Sequence, residues 1–384
     1  MAWKSIIGQE RVVNLFISLL QQHRLAQAYV FSGEEGVGKD AVGIELAKVL
    51  NCERKSFEAC DACSSCVKFQ SLQHPNLHLI FALPVGKGEE SHDSPLEKLS
   101  DEQISAIKDQ IALKAENRYH KILVSKANTV KVNSIRAIRR ASSLTSYGGG
   151  KSVFIIMDSE QLNDESSNAL LKTLEEPHDN VVLILTTAHP DLLLPTIMSR
   201  CQHVRFDSLP EEEIQRALEQ REGVESVRAA TIARIANGSY SHALDLIPFS
   251  IMEERQMAVK FLRASLGHSR ADLAKAVDEI VAGSERPEIE RFLYLLQSWL
   301  RDAMGLREGV ERVVNIDNIE ALRNFAGKYP HVDYTLLFHA VRRAISLLSK
   351  NVYIQLVLMN LAIELKKRIL PAFAESRRDA GTGN

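Results

Sequence analysis

The chain has 384 residues, of which 45% are hydrophobic and 25% are charged, and its formal net charge at pH 7 is −2. This length suggests two or three domains of about 150 residues each, and the near-zero charge excludes a chain-wide attraction to nucleic acid or to membranes. Because Met1–Lys4 lacks the apolar core of a signal peptide and no stretch reaches ~18 uninterrupted apolar residues, we expect a cytoplasmic protein.

The first predicted elements are a strand and a helix joined by a glycine-rich loop. The apolar run Ala28–Ser32 leads into the loop Gly33–Asp40, and Asp40–Leu50 has helical apolar spacing. The loop fits the P-loop pattern, in which Gly33, Gly36 and Gly38 turn backbone N–H groups toward phosphate oxygens and Lys39 reaches the outer phosphates. Its last position is Asp40, where the pattern has a Ser or Thr that ligates Mg²⁺. An unrelated glycine turn is the alternative interpretation.

Four cysteines follow this helix within 15 residues. Cys60, Cys63 and Cys66 have CxxCxxC spacing, and Cys52 precedes them by eight residues. In a reducing compartment, thiols so clustered indicate a closed structural Zn²⁺ site more than disulfides or redox chemistry. Cys201 lies outside this cluster. We therefore predict a structural zinc module over residues 52–66.

A segment without regular pattern comes next, followed by a basic helix. After a predicted strand at Leu77–Leu83, residues 84–127 are rich in Gly, Ser, Pro and charge, with one helix near Asp101–Ala115. We expect a mobile surface insertion there. Val132–Ser143 is a predicted helix, and four basic residues lie close together on it or directly before it, namely Lys131, Arg136, Arg139 and Arg140. A solvated charged face is the default interpretation, and phosphate contacts with DNA are the alternative.

A second nucleotide-site motif occupies the strand at Val153–Met157. Its apolar residues end in Asp158, as in a Walker B strand whose acid holds Mg²⁺ through water; a buried strand ending in acids is the alternative. The next residue is Ser159, where AAA+ ATPases have the Glu that polarises the attacking water, and Glu160 stands one residue late. Because strand side chains alternate faces, the shift predicts that Glu160 points away from the site.

The remaining strands and the change of composition define the domains. Val181–Thr187 and His203–Phe206 complete a largely parallel sheet with helices on both faces. From Ser208 onward almost every segment has helical spacing. We predict an α/β P-loop domain over residues 1–207, a small helical domain over 208–248, an all-α domain over 249–373 and a disordered tail over 374–384.

Several runs in the first 207 residues strongly resemble bacterial DNA polymerase III clamp-loader subunits, which belong to the AAA+ proteins. The matching runs are Ile6–Gln9, Arg24–Tyr29, the four-cysteine module after the P-loop helix, Asn168–Pro177, Leu185–Thr187 and Ser199–Cys201. The resemblance implies that the two helical domains are the lid and the collar of a clamp-loader subunit. It also implies gamma/tau and delta subunits as partners, the sliding clamp as an indirect partner, and contact with primer-template DNA through the assembled complex.

Within this family, the chain resembles the delta-prime type more than the gamma/tau motors. Motors carry a complete P-loop, a Walker B Asp-Glu pair and a sensor-2 arginine, whereas here Asp40, Ser159 and His242 stand at those positions. The resemblance implies a stator with weak or absent ATP and Mg²⁺ binding and little or no ATPase activity of its own. Asp40 could still ligate Mg²⁺, so an active gamma/tau-type motor is the alternative, and a zinc-containing repair or regulatory adaptor is a third.

The resemblance also assigns roles to side chains near the end of the α/β domain. Arg200 corresponds to the arginine finger that reaches into a neighbouring subunit's nucleotide site; a surface salt bridge is the alternative. Thr187, or its neighbour Thr186, corresponds to sensor 1, with strand-end capping as the alternative. The apolar segment Val352–Leu370 carries Lys366, Lys367 and Arg368, and we expect it to pack in a pentameric collar.

Overall fold

The computed structural model of the chain describes residues 2–90, 92–142, 147–176, 178–247, 251–282, 284, 286–310, 313, 315, 319–349 and 352–370. It divides into two compact units, residues 1–247 and residues 248–384. The predicted tail over 374–384 and the predicted break at Pro248–Ser250 lie outside the described residues. None of the helices within the described ranges has the length and apolar character needed to cross a membrane.

A parallel sheet of five strands forms the centre of the first unit. The strands are β1 (Ala28–Ser32), β2 (Leu77–Ile80), β3 (Ser152–Ile156), β4 (Val181–Thr187) and β5 (Gln202–Arg205). Their order across the sheet is β2-β3-β4-β1-β5, and every pair is parallel. All residues of β1, β3 and β4 are buried, as expected for parallel strands covered on both faces. The prediction of an α/β domain with a parallel sheet is confirmed.

Helices cover both faces of this sheet and then continue into a helical segment. They are α1 (Glu10–Gln21), α2 (Lys39–Asn51), α3 (Ser64–Gln70), α4 (Asp101–Glu116), α5 (Val132–Ser142), α6 (Asp164–Glu175), α7 (Pro195–Met198), α8 (Glu211–Glu222), α9 (Ser226–Ala236) and α10 (Tyr240–Leu246). One core cluster includes residues of α1, α2 and α3, and the other includes residues of α5, α6 and α7.

The insertion between β2 and α5 is more ordered and more buried than its composition indicates. Helix α4 begins with a capping box, in which the Ser100 hydroxyl accepts the Gln103 amide and the Gln103 side chain accepts the Ser100 amide. At the other end of this helix, Lys114 is 1% exposed, and Tyr119 shortly after it is 4% exposed. Lys114 and Tyr119 are therefore buried rather than at the surface, and we call the segment that contains them, residues 114–121, the strap.

The second unit is helical throughout its described part. Its helices are α11 (Ile251–Leu266), α12 (Arg270–Val281), α13 (Arg286–Arg307), α14 (Ile319–Lys328), α15 (Tyr334–Ser349) and α16 (Ile354–Ile369). They share one apolar core that includes Phe261, Leu296, Leu337 and Leu361. The apolar C-terminal segment therefore forms a helix packed within this unit.

Candidate functional site

The P-loop lies between the carboxyl end of β1 and the start of α2. Gly36 and Gly38 have φ of +76° and +100°, in the region that favours glycine. A Cβ at Gly36 would lie 2.1 Å from the Ser239 hydroxyl oxygen, which comes from the segment that begins α10. The Gly36 carbonyl also accepts the Tyr240 amide at 3.1 Å. The glycines therefore permit both the turn and the close approach of α10.

The P-loop lysine contacts its own loop. The Lys39 ammonium donates hydrogen bonds to the carbonyl oxygens of Gly33 and Glu34, both at 2.7 Å. Burial lowers the pKa of Lys39, although the negative charges of Asp40, Asp158 and nearby glutamates oppose this. The ammonium is thus positioned beside the phosphate-binding loop but is engaged by main-chain acceptors.

Asp40, at the metal-ligand position of the P-loop, is paired on both carboxylate oxygens. Lys114 Nζ of the strap lies 2.9 Å from Asp40 Oδ2, and the Thr186 hydroxyl donates to Asp40 Oδ1 at 2.8 Å. Burial alone would raise the pKa of Asp40, but the charge and hydrogen bond of Lys114 and the bond from Thr186 outweigh it and lower the pKa. Asp40 is therefore an ionised carboxylate that the chain itself neutralises.

Tyr119 of the strap lies directly on the P-loop. Its hydroxyl accepts the Ile7 amide at 2.8 Å, and a Cβ on Gly38 would lie 3.0 Å from the same hydroxyl oxygen. Its ring meets the Tyr240 ring edge to face, with centroids 5.0 Å apart, and its carbonyl accepts the Ser241 hydroxyl. Burial raises the pKa of Tyr119 to about 12. Tyr119 therefore joins the N-terminal segment, the P-loop and α10.

The space left between the strap and the P-loop is small. The cavity has a volume of about 50 Å³, and Lys39, Asp40, Lys114, Tyr119 and Asp158 are among its lining residues. A water molecule needs about 10–15 Å³ of such space, whereas pockets for ligands usually measure about 300–1,000 Å³. In this conformation the cavity is well below the usual size of a ligand pocket.

The residues after β3 depart from the expected strand alternation. The strand ends at Ile156, and Asp158 has φ of +47° and precedes a 3₁₀ turn. Ser159 is fully buried, and its hydroxyl donates to the Ile156 carbonyl at 2.9 Å. Glu160 Oε1 accepts the Ala188 amide at the end of β4 at 3.3 Å, and its charge acts on Lys39. The chain leaves the strand before Glu160, so the strand alternation from which its direction was predicted does not extend to this residue.

The ionised form of Asp158 is less stable in the folded protein than in water. Burial raises its pKa to about 6; the positive charge of Lys121 opposes the shift, and Asp40 and Glu160 add to it. Asp158 is thus an acid held in a crowded, partly buried cluster of carboxylates and lysines, and a perturbed pKa of this kind in a cleft marks a candidate functional site.

We expect Asp158→Asn to stabilise the protein above pH 6 by about 3 kcal/mol, since an unfolded Asp titrates near 3.9 and each unit of pKa is worth about 1.4 kcal/mol. A raised native pKa means that wild type gains stability as the pH falls through 6. The advantage of the variant should therefore shrink below pH 6 and vanish below pH 4. Thermal unfolding at pH 8, 6 and 4 measures this, with Asp109→Asn at an exposed position of α4 as the charge control. A gain that is independent of pH would contradict it.

The two other predicted nucleotide-site residues lie beside the site rather than in it. The Thr187 hydroxyl accepts the His189 amide at 2.9 Å and so ends the strand, while its neighbour Thr186 contacts Asp40. Among the described residues that line the cavity, α10 contributes Ser241 and not His242. Thr186 thus contacts Asp40 and Ser241 lines the cavity, while the sensor roles of their neighbours Thr187 and His242 stay predictions.

The four clustered cysteines form a second candidate site. The Sγ atoms of Cys52, Cys60, Cys63 and Cys66 all lie within 4.8 Å of one another, and those of Cys60 and Cys66 are 3.9 Å apart. Four thiolates about 2.3 Å from a tetrahedral Zn²⁺ would be about 3.8 Å apart. All five cysteines are within the described residues and none forms a disulfide. The cluster could therefore hold a metal ion, and its geometry fits zinc.

Backbone hydrogen bonds support this cluster. The amides of Cys60, Cys63 and Cys66 donate to the sulfurs of Cys52, Cys60 and Cys63 at 3.3–3.4 Å. Cys63 is also the N-cap of α3. Amide donors stabilise sulfur in its thiolate form, which is the form that binds metal.

Arg200 lies between α7 and β5, on the side of the domain that carries α6. Its guanidinium pairs with Glu175 Oε1 at 3.0 Å and donates to the Thr196 carbonyl at 3.0 Å. The Arg200 side chain is 37% exposed and that of Glu175 is 52% exposed. The surface salt bridge named as an alternative is therefore present, on a guanidinium that remains accessible.

Three residues that contact the site, Lys114, Tyr119 and Ser241, carry no motif in the sequence that would predict this position. Lys114 and Tyr119 lie in a segment without a motif, and Ser241 is adjacent to the residue chosen instead. The one available signal was the predicted helix near Asp101–Ala115, whose last turn carries Lys114. No sequence pattern connects that turn with Asp40, 74 residues earlier.

Sheet order, loop and appended helices define an AAA+ protein of the P-loop class, with an inserted cysteine module. The chain belongs to the family described as "DNA polymerase III, delta subunit", whose profile matches residues 8–210. DNA polymerase III subunit delta' of Bacillus subtilis (strain 168) is 25% identical over 370 residues, which cover 95% of this chain and 99% of the relative.

Longer subunits and one solved structure are also similar. DNA polymerase III subunit tau of Escherichia coli (strain K12) is 29% identical over 290 residues, which cover 73% of this chain but only 38% of that subunit. A crystal structure of a DNA polymerase III gamma subunit-related protein from Thermotoga maritima is 13% identical with a TM-score of 0.41, and the match covers 93% of this chain and 99% of that one.

Proposed function

We propose that this chain is a delta-prime-type subunit of the DNA polymerase III clamp loader, a largely non-hydrolysing stator that helps to load the sliding clamp on primed DNA. The observation that carries the proposal is the closed P-loop. Asp40 is paired with Lys114 and Thr186, and Tyr119 covers Gly38. A subunit closed by its own side chains serves as a fixed part of a ring more readily than as its motor.

Electrostatics support weak or absent ATP and Mg²⁺ binding. A carboxylate without a paired cation costs ~1 kcal/mol in water and ~4 kcal/mol at an effective dielectric of 20 when it lies about 4 Å from a phosphate charge, a cost that applies to Asp40 once Lys114 has left it. A nucleotide would also have to displace Tyr119 and separate Asp40 from Lys114. Hydrolysis needs a general base, whose loss costs about 10²–10⁴ in rate, and Ser159 is turned to the main chain.

The alternative, an active gamma/tau-type motor, is favoured by one feature of Glu160. Its Oε2 atom is buried and has no hydrogen-bond partner among the described residues, and its charge acts on Lys39 and Lys121. If the strap left the P-loop, Glu160 would be a carboxylate available near the outer phosphates. The third candidate, a repair or regulatory adaptor, has no observation of its own in favour.

Two sites would serve the assembled complex. Arg200 would act as an arginine finger in the nucleotide site of an adjacent gamma/tau subunit, and its exposure supports this role. The cysteine cluster would hold one structural Zn²⁺, which stiffens the module beside the P-loop helix without taking part in chemistry. Delta is the other expected subunit partner, and contact with the sliding clamp would be indirect.

A basic groove supports contact with primer-template DNA in the assembled complex. An open groove of about 880 Å³ lies between α5 and α6, and its basic residues include Arg136, Arg139, Arg140 and Lys172. Lys131, also named for this role, instead pairs with Glu89 at 2.7 Å and is largely buried. Phosphate contacts would come from the groove rather than from Lys131.

The test is to purify the metal-loaded chain alone and with gamma/tau and delta subunits, and to measure assembly and ATP turnover, with Lys39→Ala in this chain as the comparison. A stator should join the complex, show no turnover alone, and leave the turnover of the complex unchanged when Lys39 is replaced. Turnover that falls with Lys39→Ala would identify the motor instead. Failure to assemble would favour the adaptor.

A further inference from the structure

A single arginine connects the strap with the cysteine module. Arg118 Nη1 donates to the carbonyl oxygens of Lys114 and Ala115 at 3.0 and 2.7 Å. Arg118 Nη2 donates to those of Phe69 and Gln70, both at 2.9 Å. These carbonyls lie at the C-terminal ends of α4 and α3, where a helix leaves acceptors unsatisfied and favours a positive charge. One guanidinium thus joins the ends of two helices.

The α3 end of this connection is adjacent to the metal ligands. Helix α3 has only seven residues; Cys63 caps its start and Cys66 lies in its first turn. Phe69 follows one turn later, fully buried and stacked on His74 with ring centroids 4.4 Å apart. A helix this short is marginal without tertiary support, so ligation of Cys63 and Cys66 would fix the position of the carbonyls that Arg118 contacts.

The α4 end of the connection leads directly onto the P-loop. Lys114 accepts from Arg118 through its carbonyl, and its ammonium pairs with Asp40 and donates to the His120 carbonyl at 2.8 Å. Tyr119, the residue after Arg118, covers Gly38 and accepts the Ile7 amide. Moving Arg118 would therefore disturb both contacts by which the strap closes the site.

We propose that metal in the cysteine cluster holds the strap closed over the P-loop through Arg118. The cluster is then a regulatory support of the nucleotide site, and loss of the metal or of Arg118 opens that site. Arg118 is a positioning residue, because it acts on the P-loop only through the strap. The inference rests on the proposed zinc ligation and on the closed P-loop, and it does not depend on Arg200 or on assembly.

Hydrogen exchange on the full chain, read by mass spectrometry, tests the connection directly, because the Ile7 amide is bonded to Tyr119. Three proteins are compared: zinc-loaded wild type, wild type after chelation, and zinc-loaded Arg118→Ala, with metal content measured in each. We expect exchange at Ile7 and residues 114–121 to rise about tenfold in the second and third, since each loses charge-assisted hydrogen bonds of the strap. Exchange in β4 should stay unchanged.

Arg118→Ala keeps the cysteines, so it separates loss of the connection from unfolding of the module. Arg54→Ala, which removes an exposed arginine within the module, is the matched control and should behave as wild type. Chelation that speeds exchange only in residues 52–70, or an Arg118→Ala protein that retains zinc and shows wild-type exchange in the strap, would overturn the proposal.

A second readout measures opening of the site itself. Zinc-loaded Arg118→Ala and Tyr119→Ala should both bind a fluorescent ATP analogue with Mg²⁺ at least tenfold more tightly than wild type. If only Tyr119→Ala binds the analogue more tightly, the strap does close the site, but the role of Arg118 is refuted. If neither variant gains binding while both stay folded and metal-loaded, the strap does not control the site, whether or not the chain assembles as a stator.

Discussion

Arg200→Ala is expected to leave assembly of the complex intact and to lower ATP turnover at the adjacent motor site by about 10³-fold or more. An arginine finger supplied in trans stabilises the charge that develops on the transferred phosphate, and it is worth about 10³–10⁵ in rate. The other ATPase sites of the ring would keep their own arginine fingers. The total turnover of the complex therefore falls only to the rate that those other sites support. Steady-state turnover and assembly by gel filtration measure the two effects.

The ion pair with Glu175 does not exclude this role, because the two interactions differ greatly in size. A pair between exposed side chains is worth about 0–1 kcal/mol, whereas a factor of 10³ in rate corresponds to about 4 kcal/mol. Arg200 can therefore leave Glu175 for a phosphate at small cost. Glu175→Gln should accordingly leave turnover unchanged or raise it slightly.

Arg205→Ala is the matched control for this experiment. Arg205 is an exposed arginine of β5, five residues further along the chain, so its loss changes the net charge equally. Turnover should be as in wild type. If Arg200→Ala assembles and turns over ATP as fast as Arg205→Ala, then Arg200 is only the surface salt bridge seen in the isolated chain.

The sheet was largely predictable because each strand carries a strong local signal. The predicted strands Ala28–Ser32 and Val181–Thr187 have the observed bounds, and Val153–Met157 is displaced by one residue. Continuous apolar runs separated by helical segments admit few arrangements other than a covered parallel sheet. The cysteine cluster was predictable for the same reason, since its spacing is local.

The face on which a side chain lies was harder to predict. All seven residues of β4 are buried, so no polar–apolar alternation shows whether Thr186 or Thr187 faces the P-loop. Glu160 was placed by extending the alternation of β3 past its end, and the positive φ of Asp158 ends that alternation. Periodicity gives the face only within an element and only when one face is exposed.

The closed state of the site could not be predicted at all. It depends on contacts between the P-loop and the strap, such as Lys114 with Asp40, whose sequence separation is 74. Asp40 alone indicates an altered metal position, but the same residue would serve a motor if no cation lay beside it. Only the tertiary structure supplies Lys114 and so favours the stator.

Cys66→Ser is expected to abolish metal binding and to lower the free energy of unfolding of the first unit by at least about 3 kcal/mol. Structural Zn²⁺ binds zinc-finger peptides with apparent free energies of about 10–16 kcal/mol, and this energy contributes to folding. Cys66 is fully buried, so serine would also place a hydroxyl among three sulfurs. Metal content by atomic spectroscopy and unfolding in urea measure the two effects.

Cys201→Ser distinguishes loss of the metal from loss of a buried thiol. Cys201 packs against the other apolar cluster of the first unit, and burial raises its pKa to about 12. The same chemical change there should cost about 1–2 kcal/mol, the penalty for a poorly paired buried hydroxyl, and should leave the metal bound. A Cys66→Ser protein that keeps its metal would refute the four-cysteine site. A Cys66→Ser protein that loses its metal but unfolds no more easily than Cys201→Ser would refute the structural role. Loss of a binding free energy of that size must destabilise the unit that contains the metal.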